Sequence, residues 1–289
     1  GLDAATAAGK RIVVLTSTVI SPSTDAAIAA LKAKHATVEH AQYDTISYSG
    51  VTSANEKSFG KRAFPSYDLS KADVLVSIGA DFISSWGSTT ENTWQYAGRR
   101  DPKGAMNRHW QFEARMSLAG ANADKRVPLK VSELPLAVIA LHDHIAQKAG
   151  ATAVGGASAE VTEAMAKAAN ELWAARGNSL VLAGANHEGV QVLVNSINSM
   201  LGNYGRTIDL ENPTRFWQGS DAAMAQLVKD MNAGSVGAVI IAGVNPAYSL
   251  PNAAEFKTGL AKVGLSVSCS GYADETASLC GWTCPDNHY

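Results

Sequence analysis

Val74-Leu75-Val76-Ser77-Ile78-Gly79-Ala80-Asp81 is an apolar run of strand length that ends on a glycine and a small polar tip. Near-continuous apolar residues, rather than the alternation of a half-exposed strand, mark a strand covered on both faces, as in a parallel sheet flanked by helices. The same grammar returns at Val239-Ile240-Ile241-Ala242-Gly243-Val244-Asn245-Pro246. Working outward, Lys10 to Thr16 and Val38 to Tyr43 read as strands around a helix over residues 25–35, with Ser21-Pro22-Ser23-Thr24-Asp25 suited to capping it. Residues 44–71 are polar and read as loop, Trp110–Glu113 and Val127–Lys130 read as short strands, and Glu133 to Lys148 reads as a helix with Pro135 in its first turn. The Gly- and Ala-rich stretch Gly150 to Ser158 is taken as a domain boundary. Beyond it come helix 159–175, strand Ser179–Gly184, helices 188–200 and 221–233, strand Ala238–Gly243, helix 252–262 and strand Leu265–Cys269. Strands separated by helices of this length predict an α/β protein: two doubly wound, mainly parallel sheet domains with helices on both faces, residues 1–150 and 151–289.

Composition removes several function classes. Lys+Arg 24 against Asp+Glu 26 gives a formal charge of −2 over 289 residues, so no long-range positive field draws in nucleic acid or anionic lipid. The longest near-apolar stretch, Val236 to Val244, falls far short of the ~20 residues that span a bilayer. Charged residues at 17% lead to the expectation that neighbours cover part of the surface. The first residues, Gly1-Leu2-Asp3, are followed by no basic and apolar leader, and Cys284-Pro285-Asp286-Asn287-His288-Tyr289 ends without a closing element. Both ends read as those of a piece whose chain continues.

Motifs with their own chemistry are sparse. Neither Gly-x-Gly-x-x-Gly nor Gly-x-x-x-x-Gly-Lys-Ser/Thr occurs, which disfavours a dinucleotide enzyme, and neither Gly-x-Ser-x-Gly nor His-Glu-x-x-His is present. His142-Asp143-His144 places its histidines on different helix faces and reads as a solvated helix end rather than a metal site. His187, at the tip after Gly184-Ala185-Asn186, reads as the polar lining of a strand-end crevice. Asp81 and Glu188 form a conceivable acid/base pair whose separation the sequence does not fix. Cys269, Cys280 and Cys284 lack the spacing of an iron–sulfur site. Cys280 and Cys284 read either as a disulfide, in an oxidising compartment, or as plain buried thiols. No catalytic residue and no metal ligand set is assigned.

Collinear segments over nearly the whole chain resemble the middle domains of the molybdopterin oxidoreductase superfamily. They are Val74 to Phe82; Lys103-Gly104-Ala105 to Phe112-Glu113-Ala114-Arg115, with Ala123-Asp124 and Pro128-Leu129; Ala183-Gly184-Ala185-Asn186-His187-Glu188-Gly189; Leu201-Gly202-Asn203-Tyr204-Gly205-Arg206; Gly243-Val244-Asn245-Pro246 with Ser249 and Pro251; and Asp274-Glu275-Thr276-Ala277 with Pro285. The family's Pro-Gly-Thr-Asp turn, which helps hold the pterin nucleotide, is here Lys130-Val131-Ser132-Glu133, and the Ala-Asp and Leu of the last motif are Cys280-Gly281 and Cys284.

More narrowly, Trp110 to Asp124 and Cys284 to Tyr289 resemble the large iron–sulfur subunit of alternative complex III. That resemblance implies a cofactor-free docking segment of a membrane-bound quinol-oxidising respiratory complex on the periplasmic side of the bacterial inner membrane, exported through the twin-arginine route. It also implies iron–sulfur clusters in a downstream ferredoxin-like domain of the same polypeptide, haem in a multihaem cytochrome partner, and a quinol-binding integral membrane subunit. The alternative is a catalytic molybdopterin-binding fragment, in which Asp81, Asn186, His187, Asn245 and Pro246 line the pterin crevice; in the cofactor-free reading they are its vestige. A third reading is a two-lobed small-molecule binding module that closes on its ligand.

Overall fold

The computed structural model describes residues 1–156 and 159–286. Ala157 and Ser158, at the end of the expected boundary, and Asn287, His288 and Tyr289 of the terminal motif lie outside the described residues. The strands are β1 (Arg11–Thr16), β2 (Val38–Gln42), β3 (Phe64–Tyr67), β4 (Val74–Ile78), β5 (Arg108–Glu113), β6 (Lys125–Pro128), β7 (Ser179–Ala183), β8 (Ile208–Thr214), β9 (Val236–Ala242), β10 (Leu265–Ser268) and β11 (Trp282–Thr283). They build a five-stranded parallel sheet ordered β11-β10-β9-β1-β2, a four-stranded parallel sheet ordered β6-β5-β4-β7, and an antiparallel ribbon β3-β8. The two runs that decided the fold, β4 and β9, are interior strands of separate sheets.

The division of the chain differs from the expected one at residue 150. One compact unit combines Gly1–Ser49 with Arg215–Tyr289, and the other is Gly50–Thr214. Strand pairing dictates this, because β9 pairs with β1 and β7 pairs with β4, so each sheet draws strands from both expected halves. The stretch after Gly150 only joins the helices Leu134–Ala149 and Ala159–Ala174 of the second unit, and the left-handed Gly150 ends the first of them.

In the first unit both sheet faces are covered, as apolar strands require. Ile12, Val14 and Ala238 pack with Ile28 of the helix Pro22–Lys34 and Ala5 of Leu2–Ala7, whereas Val13, Leu15, Val239 and Ile241 pack with Met224, Leu227 and Phe256 of the helices Asp221–Asn232 and Ala253–Leu260. Ser21 caps the helix Pro22–Lys34 and Pro22 starts it, three residues earlier than expected.

In the second unit Val74, Val76, Ile78, Phe112 and Val181 bury one face against the helices Leu134–Ala149, Ala159–Ala174 and Glu188–Met200. Phe82 and Tyr96, the latter on the helix Thr89–Gly98, stand against His109 with ring centroids 5.3 and 5.4 Å away. His142 corrects the expected solvated helix end. It is 5% exposed in the middle of Leu134–Ala149, its ring nitrogens 3.1 Å from Asp143 Oδ1 and 3.2 Å from Ser196 Oγ. Residues 44–71, expected as loop, hold the helix Ser49–Phe59 and β3.

Candidate functional site

Ligands of open parallel sheets lie over the carboxyl ends of the strands. In the second unit β4 ends on Gly79, whose φ of +69° turns the chain away from the strand, and Gly243 after β9 has the same φ in the first unit. Gly184 after β7 crosses so close to Gly79 that an added Cβ would stand 2.1 Å from the Gly79 carbonyl oxygen. Only glycine allows the two strand-end loops to start side by side.

The expected crevice residues of this unit are occupied with local structure. Asp81 accepts from the Ala119 N–H at 3.0 Å and from Ser84 Oγ at 2.6 Å, and its carbonyl accepts from the N–H groups of Ser84, Ser85 and Trp86. Asn186 Oδ1 accepts from the Gly50 N–H at 2.6 Å. His187 is the N-cap of the helix Glu188–Met200, its Nδ1 accepting from Val190 N–H at 3.4 Å. Glu188 pairs with Lys57 at 2.5 Å, which leaves the conceivable acid/base pair with Asp81 without support.

At the end of β5, sequence reasoning missed a buried polar row. His109 and Gln111 are 0% exposed and Glu113 is 3% exposed, all on the sheet face opposite Trp110 and Phe112. His109 Nδ1 lies 3.0 Å from Tyr96 Oη and its Nε2 lies 3.2 Å from Gln111 Oε1. Gln111 donates to Glu113 Oε2 at 3.2 Å. Glu113 further accepts from Ser117 N–H at 3.1 Å, Ser117 Oγ at 2.6 Å and Arg126 Nε at 2.6 Å. Burial pushes its carboxyl upward, but Ser117, Arg126 and Gln111 together outweigh that and hold it below the usual carboxylate range. Burial drives His109 down to about 4, so it is neutral near pH 7. The alternation His109-Trp110-Gln111-Phe112-Glu113 is the signal that would have found the row.

The turn Lys130-Val131-Ser132-Glu133 is self-satisfied. Glu133 Oε2 accepts from the Lys130 N–H at 2.8 Å, and Glu133 Oε1 stands 3.5 Å from Lys130 Nζ. The carboxylate thus closes the short turn Val131–Glu133 on itself just before the helix Leu134–Ala149 begins.

In the first unit Asn245 and Pro246 join the segment around Glu275 instead of presenting free groups. Asn245 Nδ2 donates to Glu275 Oε2 at 2.7 Å, while its Oδ1 accepts from Thr276 Oγ1 at 2.7 Å and Thr276 N–H at 3.2 Å. Pro246 is buried at the first position of the turn Pro246–Ser249, and Ser249 Oγ donates back to the Asn245 carbonyl at 2.9 Å. A hollow of about 370 Å³ remains at the ends of β9 and β10. Asn245, Ser268, Cys269, Asp274 and Asp286 line it with no Lys or Arg among the lining residues.

The lining of the hollow at the ends of β9 and β10 does not suit an anionic pterin nucleotide. That hollow carries two carboxylates and no Lys or Arg, although Arg115 stands exposed beyond β5. Among the described residues no cluster of three or more His, Cys, Asp or Glu is arranged to hold a metal ion. Among them no helix is long and apolar enough to cross a membrane.

No protein-family model matches the chain. The menaquinone reductase molybdopterin-binding-like subunit of Nitratidesulfovibrio vulgaris is 24% identical over 272 residues, covering 76% of this chain and 37% of the relative. The chain thus spans little more than a third of that relative's length. Acetylene hydratase from Pelobacter acetylenicus superposes with a TM-score of 0.63 at 11% identity, over 93% of this chain and 48% of that one. The formyltransferase/hydrolase complex from Methylorubrum extorquens, solved with methylofuran, gives 0.54 at 14% identity, over 97% of this chain and 82% of that one. These structural likenesses show the fold: mixed α/β with helix-flanked parallel sheets, the molybdopterin oxidoreductase-like architecture that the motifs imply.

Proposed function

We propose that this chain is a cofactor-free, molybdopterin oxidoreductase-like docking segment of a membrane-associated respiratory quinone oxidoreductase, the iron–sulfur subunit of an alternative complex III. The single observation that carries the reading is the turn Lys130-Val131-Ser132-Glu133, which stands where the family has Pro-Gly-Thr-Asp and closes on itself through the Lys130 N–H and Glu133. The motif segments Asn245-Pro246 and Glu275-Thr276 support it, because they serve here to bind one loop to another. The similarity to a molybdopterin-binding-like subunit of a menaquinone reductase supports the respiratory setting.

In this reading electrons pass through iron–sulfur clusters in a ferredoxin-like domain of the same polypeptide and through the haems of a multihaem cytochrome. Quinol is oxidised at an integral membrane subunit. The segment lies on the periplasmic side and supplies surfaces, to which exposed Trp94, Met116, Val131 and Tyr272 contribute apolar area.

Purification of the native assembly from membranes, with subunits identified by mass and pterin assayed by fluorescence after acid oxidation, tests the proposal. The expected result is co-purification with a haem-bearing and an integral membrane subunit, and no pterin above background. Stoichiometric pterin on this polypeptide, or its isolation without membrane partners, contradicts it.

A further inference from the structure

The three cysteines gather at one edge of the first unit's sheet. β11 is a two-residue edge strand, paired in parallel with β10 through Val267↔Trp282 and Ser268↔Thr283. The next pair in that register is Cys269 and Cys284. The ladder continues to them: Cys284 N–H donates to the Ser268 carbonyl at 2.8 Å, Asp286 N–H to the Cys269 carbonyl at 3.2 Å, and Cys269 N–H to the Ile241 carbonyl of β9 at 2.8 Å.

Register fixes which thiols can meet. Side chains of directly paired residues on parallel strands leave the sheet on the same face, and neighbouring strands lie ~4.8 Å apart, within the ~4.4–6.8 Å between Cα atoms that a disulfide spans. Alternation along β10 places Cys269 on the face of Leu265 and Val267, and Ser266 on the other. Cys280 belongs to the Ser266 side. It packs against the cluster of Val239, Ile241 and Leu260, and the next residue, Gly281, donates its N–H to Ser266 Oγ at 2.9 Å. The spacing of Cys280 and Cys284, which suggested a pair in the sequence, joins thiols that the sheet separates.

We infer that Cys269 and Cys284 are a disulfide-forming pair that ties the edge strand β11 to β10, with Cys280 left as a thiol. All three are free thiols in this structure. Exposure sets the order of events: Cys284 is exposed and Cys269 is half-buried, so an external oxidant meets Cys284 first. The oxidant required is a disulfide, such as that of an oxidised dithiol protein. The Cys284 thiolate attacks one of its sulfurs and forms a mixed disulfide, releasing one oxidant thiolate. Cys269 then gives its proton to water and attacks Cys284 Sγ, forming the Cys269–Cys284 bond and expelling the second thiolate. Two thiols of this chain are oxidised, and the oxidant disulfide is reduced to a dithiol. Burial raises the Cys269 thiol above its ordinary range, with Cys284 and Asp286 adding to the rise, so closure speeds up at alkaline pH.

The test treats reduced, folded protein with glutathione disulfide, blocks remaining thiols by alkylation, and maps the peptides. No Lys or Arg occurs between Val263 and Tyr289, so cleavage after Glu275 and Trp282 is needed to separate the three cysteines. The expected result is a peptide pair linked through Cys269 and Cys284, with Cys280 fully alkylated. Cys280→Ser should form the same link, whereas Cys284→Ser should leave Cys269 and Cys280 both alkylated. A link involving Cys280, three alkylated cysteines in excess oxidant, or arrest at a glutathione adduct of Cys284 overturns the inference. A control digest of protein oxidised after unfolding separates pairing set by register from random pairing, which would give all three links.

Discussion

Glu113 is the residue whose environment departs most from what its type prefers. Carboxylates are seldom buried unless paired, and this one sits 3% exposed with Ser117, Gln111 and Arg126 around it. Glu113→Gln leaves the Arg126 guanidinium without its carboxylate, and a loss of about 2 kcal/mol follows, read as a lower urea midpoint. Because its folded carboxyl lies below the usual range, the stability it contributes is present above the ordinary carboxylate value. That stability is lost as pH falls through the depressed one. His109 acts over a higher window. Its folded value of about 4 against an ordinary 6.5 means that the unfolded chain takes up the proton first. Its stability is complete above pH 6.5 and drains by about 3 kcal/mol as pH falls toward 4. Urea midpoints at pH 7, 6 and 5 should fall for the natural chain and fall less for His109→Gln. Neither residue was assigned a site role from the sequence, because Trp110–Glu113 was read only as a short strand and the period-two polar set along it was not weighed.

Among elements, most strands of the parallel sheets were legible and the ribbon β3-β8 was not. β4, β7 and β9 follow the expected runs to within a few residues, since a strand covered on both faces is near-continuously apolar. The ribbon β3-β8 contains Pro65 and Pro213, residues that argue against a strand, and it is tolerated where only one neighbour is paired. The helix Ser49–Phe59 was hidden because its inner face is polar. Buried Asn55 donates to the Ala63 carbonyl and accepts from Asn195. Gly184→Ala tests the tightest junction between elements: its Cβ would overlap the Gly79 carbonyl, and a destabilisation of at least about 2 kcal/mol should appear in thermal melting. Asn245→Ala removes three hydrogen bonds to Glu275 and Thr276 and should cost about 1–3 kcal/mol, with faster proteolytic nicking within residues 270–281. If Asn245 served a bound pterin instead, the variant would lose cofactor and keep its protease resistance.

For the whole molecule, the sequence identified two α/β bodies but misplaced their division, because strand pairing over long separations decides domains and local Gly/Ala composition does not. The five crevice residues fall three in one unit and two in the other, each committed to local hydrogen bonds or turns. The central claim is that this fold works as a scaffold without its cofactor. Elemental analysis of molybdenum, tungsten and iron on the purified native assembly, with subunits identified by mass, tests it most directly. Abundant iron with molybdenum and tungsten at background is the predicted result. About one molybdenum or tungsten atom per copy of this polypeptide would contradict the claim.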